Sequence, residues 1–285
     1  MLVYLDARDL ISVFEQGKPC DAKVFIGVLR AGGHALVLSM SNVREVSAPL
    51  VEPAATTNVM RLLNEVEEAP IRYIREGTLV RDELKKALDA FSHSREYQSV
   101  FPFVDRYDQT FELEPLPTRL FLHHGLAETI FTLWGADRNT LRPSAGHAEH
   151  LRKQFAAERG MKNRKSLAEN FVDAVERHLN FHRLPLPTRG VRPFAEWIYE
   201  DPARCPSYRL SYEVYHAVLN NIGDVPKDGD IPDFAHLQCT PYVDLITLDR
   251  RMITYVQQVS SRLRLPYPER TCRELNRIIE KLTIA

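Results

Sequence analysis

The chain has 285 residues, 44% hydrophobic and 26% charged, with a net charge of -1, which is the composition of an ordinary globular protein and allows one large domain or two smaller ones. The opening "MLVYLDARD" has no basic region, and no apolar run reaches the roughly 18 residues that would cross a bilayer, so no membrane is expected and the expected location is cytoplasmic. Cys20, Cys205, Cys239 and Cys272 lie far apart with no C-x-x-C pair, which predicts reduced, partly buried thiols in place of a disulfide frame or zinc site.

In chain order, "MLVYL" reads as a strand, and "RDLISVFEQG" and "CDAKVFIGVLRAGG" read as helices, the second closed by Gly32 and Gly33. "HALVLS" is a second buried strand followed by the helix "NVREVSAPL". The helix "TTNVMRLLNEVEEA" leads through Pro70 to a third strand, "IRYI", and then to the helix "RDELKKALDAF". From about Ser94 to Val225 the strand signal fades and helical signals take over. Ser166-Leu-Ala-Glu169 is a capping-box sequence, with Leu167, Phe171, Val175 and Leu179 on one helical face behind it. The α/β pattern resumes with "IPDFAHLQCT" as a short helix, "VDLITL" as a strand, "RRMITYVQQVSSRL" as a helix, and a last helix carrying Leu275, Ile278, Ile279 and Leu282. Alternating strands and helices predict an α/β fold with a central parallel sheet covered by helices on both faces, plus an inserted helical subdomain.

Charge is uneven along the chain. Between Arg138 and Arg192 twelve Lys or Arg face five Asp or Glu, so the remainder carries a net -8. The run "RGMKNRK", with Arg159, Lys162, Arg164 and Lys165, suits a polyanion and equally suits a solvated helical surface.

In a parallel α/β sheet the strand carboxyl ends and the helix amino ends share one edge, where ligands usually bind. Asp6 follows the first strand, Glu45 lies early in the helix after the second, Asp233 opens the helix behind Pro232, and Asp249 follows "VDLITL". Each alone would serve a helix amino end. Four on one edge repel, by about 4 kcal/mol for a pair at ~4 Å and an effective dielectric near 20, unless protons or a hard divalent cation neutralise them.

The ordered set Asp6, Glu45, Asp233 and Asp249, with the stretch "DFAHLQCTPYVDLITLDRRM", resembles the acidic quartet of PIN-domain nucleases over about residues 1–92 and 226–285. The resemblance implies a three-layer α/β/α sandwich formed by 1–93 and 226–285, with 94–225 as a basic helical insert that small family members lack. It implies that the four acids bind Mg²⁺ or Mn²⁺ and catalyse phosphodiester hydrolysis, usually in RNA, with Thr247 as a polar support. Arg250 and Arg251 are candidate contacts to the substrate backbone, and the four basic residues of the insert are candidates for guiding it.

Other residues read differently. Asp244 and Asp249 are five residues apart, ~16 Å at strand rise, which places Asp244 at the opposite edge of the sheet. Asp230 is a reserve ligand or a helix cap, and His236, three residues beyond Asp233, is a packed or a catalytic histidine. His178 and His182 lack the glutamate of H-E-x-x-H and read as surface residues. The expected activity is a metal-dependent ribonuclease; single-stranded DNA would satisfy the same chemistry, since no residue here reads a 2′-hydroxyl. The rival is a non-catalytic PIN-like module that binds nucleic acid, a protein or a second copy through the insert. A Mg²⁺-dependent phosphotransferase is disfavoured by the absence of a P-loop or G-x-G-x-x-G run.

Overall fold

The computed structural model describes residues 1–15, 22–110, 125–135, 149, 152–153, 156–158, 167–221, 223–225, 227 and 230–284. Its centre is a six-stranded sheet. The strands are β1 (Leu2–Tyr4), β2 (Ala35–Ser39), β3 (Ile71–Ile74), β4 (Phe103–Val104), β5 (Leu245–Thr247) and β6 (Thr271–Cys272), in the spatial order β4-β3-β2-β1-β5-β6. All neighbours are parallel except β3 and β4. The expected α/β class with a central, mostly parallel sheet is therefore observed.

Period-two alternation divides the strand side chains between two hydrophobic layers. Val3, Leu36, Leu38, Tyr73 and Leu245 face a core built with α1 (Ala7–Phe14), α2 (Ala22–Ala31), α4 (Thr56–Glu67), α6 (Leu126–Gly135) and α13 (Leu275–Ile284). Tyr4, Val37, Ile74 and Ile246 face the other core, shared with α5 (Glu76–Ser92), α9 (Pro206–Asn220), α10 (Asp230–Cys239), α11 (Arg250–Leu263) and α12 (Tyr267–Arg270). Helices thus cover both faces, as a parallel sheet requires. The second helix is closed past Ala31 by Gly33, whose φ of +62° lets the His34 N–H turn back to the Leu29 carbonyl at 2.8 Å.

Residues 94–225 contribute to the sheet and to both of its cores, through β4, α6 and α9. Strands β4 and β6 were not expected, because two residues cannot display an alternation. The fifth helix starts at Glu76, five residues before the expected Arg81, since Gly77 and Thr78 weaken the helical signal of its first turn. Further out, α7 (Leu167–Phe181) and α8 (Val191–Glu200) form a third core with α5 and α9, in which Phe171, Val175 and Leu179 are fully buried as their spacing predicts. His178 corrects its expected surface position. It packs edge-on against Tyr208, ring centroids 4.9 Å apart, and burial pushes its imidazole down to about 4. Ser166 of the capping box lies outside the described residues.

Two buried polar devices fix α9. The Glu83 carboxylate of α5 accepts the Ser207 and Tyr208 backbone N–H groups, both at 2.9 Å, and so caps that helix from a distance. Within α9, Arg209 pairs with Glu213 at 2.9 Å and lies 3.7 Å over the Tyr199 ring, while Arg262 of α11 reaches the other Glu213 oxygen. Cys205, Cys239 and Cys272 are buried free thiols, as expected; Cys20 lies outside the described residues.

Candidate functional site

Strand order reverses at β1, with β2 and β3 built to one side and β5 and β6 to the other. A doubly wound sheet opens a crevice at such a point, outside the strand carboxyl ends. Asp6 and Asp249 stand there in equivalent local structures. Asp6 is the N-cap of α1, its Oδ1 accepting the Asp9 N–H at 2.8 Å; Asp249 is the N-cap of α11, its Oδ1 accepting the Met252 N–H at 2.6 Å. Their backbones are extended, as an N-cap requires, with φ of -62° and -64°. The fully buried Thr247 at the end of β5 accepts the Asp6 backbone N–H through Oγ1 at 2.8 Å, which joins the two strand ends.

A guanidinium lies among these carboxylates. Arg8 Nη2 is 3.4 Å from Asp6 Oδ2 and 3.3 Å from Asp9 Oδ2, and its charge also interacts with Asp249. Arg8 keeps 60% of its side-chain surface in solvent, whereas Asp6 keeps 14%. Burial and the neighbouring Asp9 carboxylate push Asp6 up to about 6, although the Asp9 N–H, Arg8 and His236 oppose the rise. Negative charge is crowded here even with Arg8 present.

Glu45 belongs to α3 (Met40–Ser47), which is entered through a reciprocal cap between Ser39 and Asn42. The Glu45 carboxylate is held by His236 of α10, with Nε2 to Oε2 at 2.8 Å. The other ring nitrogen, Nδ1, lies 2.6 Å from the Tyr4 hydroxyl, which is 2.8 Å from Ser39 Oγ. Ser39 donates its own proton to Asn42 Oδ1 at 3.2 Å. The Glu45 carboxylate can only accept, so the ring N–H at Nε2 donates to it, and the Tyr4 hydroxyl completes the line on the Nδ1 side of His236. Burial alone would lower its pKa, but the Glu45 hydrogen bond and charge, with Glu76 and Asp6 beyond, outweigh burial and raise it. Buried Glu76 fixes the start of α3, where its Oε1 accepts the Ser41 N–H at 3.0 Å.

Of the four expected acids, Glu45 is bonded to His236 and Asp6 is paired with Arg8, while Asp249 interacts with Arg8 through charge alone. Asp233 lies one turn before His236 in α10 and is partly buried. Asp230 opens the same helix. Arg250 is exposed at the start of α11, while Arg251 is tied to Asp224 at 2.7 Å. Asp244 sits at the opposite edge, as its spacing predicts: its Oδ2 accepts the Leu2 N–H at 2.7 Å, at the beginning of β1. Arg159, Lys162, Arg164 and Lys165 lie outside the described residues.

Sequence reasoning missed Arg8, Tyr4 and Glu76, and Asp9, read as half of a D-x-D signature with the wrong spacing from Asp6, was set aside. Arg8 was detectable, being a cation two residues beyond a candidate ligand. The Glu45 to His236 contact spans 191 residues and left no local signal.

Comparison with family models, with curated proteins and with solved structures gave no match for this chain. Among the described residues, no group of three or more His, Cys, Asp or Glu side chains forms a ready-made metal site.

Proposed function

We propose that the chain is a metal-dependent nuclease of PIN-like type that hydrolyses phosphodiester bonds, with RNA as the expected substrate and Mg²⁺ or Mn²⁺ as the cofactor. The observation that carries this reading is the pair of capping carboxylates, Asp6 and Asp249, on strand ends bridged by Thr247 where strand order reverses, with Asp6 pushed up to about 6 by burial and by the Asp9 charge. The donor chemistry fits a hard cation, since Asp6, Asp249, Glu45 and Asp233 offer only carboxylate oxygens. A bound ion would activate a water for in-line attack and offset charge on the departing oxygen. Thr247 fixes the backbone of Asp6, and the exposed Arg8 and Arg250 attract the phosphate backbone toward the acids. In the free protein Arg8 acts as counter-ion to Asp6 and Asp9. The basic stretch from Arg159 to Lys165 extends the attraction along a longer polyanion.

The test is incubation with labelled single-stranded RNA and DNA in Mg²⁺, Mn²⁺ or chelator. Metal-dependent cleavage should fall by orders of magnitude in Asp6→Asn and Asp249→Asn and persist in Asp244→Asn, whose carboxylate serves the far edge. Equal losses in all three variants would reject the site. The non-catalytic reading, a module that binds nucleic acid or a protein partner through residues 94–225, is favoured by the protein donors that already engage three of the acids. Binding without cleavage under every metal condition would establish it.

A further inference from the structure

We infer that His236 is a positioning residue for Glu45, holding one oxygen of its carboxylate at 2.8 Å and leaving the other for a ligand. The inference rests on the nuclease reading and adds a residue to it. Glu45 is more exposed than Asp6 or Asp9, with 33% of its side-chain surface in solvent against 14% and 11%. It lies within a helix, whereas Asp6 and Asp249 are each fixed by a capping bond. A glutamate in that position has three free torsions unless something holds its end. His236, 4% exposed, does so at 2.8 Å. The ring is fixed in orientation at both nitrogens, since the far one is bonded to Tyr4, whose hydroxyl is bonded to Ser39, and both of these are fully buried. A rigid line thus runs from the ends of β1 and β2 through α10 to one carboxylate oxygen in α3. Partners that orient a ligating carboxylate typically contribute about 10–100-fold to metal affinity.

The experiment is Mn²⁺ binding to the full chain without substrate, by calorimetry and by paramagnetic resonance. Gln places its amide nitrogen near the imidazole Nε2, and Asn places its own near Nδ1. His236→Gln should therefore stay within several-fold of the parent, while His236→Asn should lose about 10–100-fold. The loss should vanish in a Glu45→Gln background, because a residue acting through Glu45 has no effect once that carboxylate is gone; a general packing defect would persist there. If His236→Asn does not fold, Tyr4→Phe keeps the core filled and releases Nδ1; it should lose several-fold, again only when Glu45 is intact. A parent that binds Mn²⁺ while these variants bind equally well overturns this inference alone. An unchanged affinity in Glu45→Gln, or a loss that persists in that background, overturns it too. A parent that binds no Mn²⁺ at millimolar concentration overturns the metal site itself.

Discussion

The backbone N–H of Asp6 donates to the buried hydroxyl of Thr247 at 2.8 Å, across 241 residues of chain. This bond sets the position of one capping carboxylate relative to the strand that carries the other. Thr247→Val keeps the volume and removes the acceptor, leaving a partly buried N–H unsatisfied. Urea unfolding should show a loss of about 1–3 kcal/mol, and Thr247→Ser should recover most of it. A Val variant as stable as the parent would show that the bond contributes nothing.

Asp6 gives the folded protein a pH dependence of defined sign. Its carboxyl is raised from an ordinary 3.8 to about 6, so the folded state binds that proton more tightly than the unfolded chain. The associated stability is fully present below about pH 4 and is lost as pH rises through about 6, with a total of at most about 3 kcal/mol. Asp6→Asn still caps the helix and cannot ionise. Melting curves from pH 4 to 8 without metal should show the variant gaining on the parent as pH rises. Parallel curves would show that burial and the Asp9 charge do not raise the Asp6 carboxyl.

Arg8 offsets part of the charge of Asp6 and Asp9 from the solvent side and would compete with a cation for them. Arg8→Gln should therefore tighten Mn²⁺ binding while weakening the binding of a short oligonucleotide. Opposite signs for the two ligands are the required result. Weakening of both would make Arg8 a structural element of the loop.

Glu213 is almost fully buried between Arg209 and Arg262. Removing one member of a buried ion cluster strands the others, so Glu213→Ala should cost about 3–5 kcal/mol in denaturant unfolding. Arg262 is half exposed, and Arg262→Ala should cost much less.

Charge reversal at Arg159, Lys162, Arg164 and Lys165 should flatten the salt dependence of long single-strand binding, by about 0.7 in the logarithmic slope for each phosphate that the variant no longer neutralises. Cleavage of a very short substrate should be unaffected. An unchanged slope would leave the basic stretch without a role in binding.

The strands "HALVLS" and "IRYI" were legible as short apolar runs, and Asp6 and Asp249 because each directly follows such a run. Two-residue β4 and β6 were not, since their pairing is set by neighbours already in place. The opposite fates of Asp244 and Asp249 were readable from strand rise alone. The engagement of Glu45 by His236 was not, because it requires β1, β2, α3 and α10 to be assembled before any of the four side chains can meet. Arg251 shows the same limit: it shares the "DRR" run with Arg250, yet the fold pairs it with Asp224.

Capping also sets what Asp6 and Asp249 can offer an ion. Each uses one lone pair of Oδ1 to accept a backbone N–H, at 2.8 Å and 2.6 Å, which favours single-oxygen over chelating coordination, and in Asp6 the other oxygen, Oδ2, faces Arg8 at 3.4 Å. Ca²⁺ fills about 6–8 positions and favours bidentate carboxylates, whereas Mg²⁺ accepts single oxygens in a tight octahedron and keeps its waters. The helices that need those caps would thereby screen ions by coordination number, and calcium at equal concentration should be a poor competitor for this crevice.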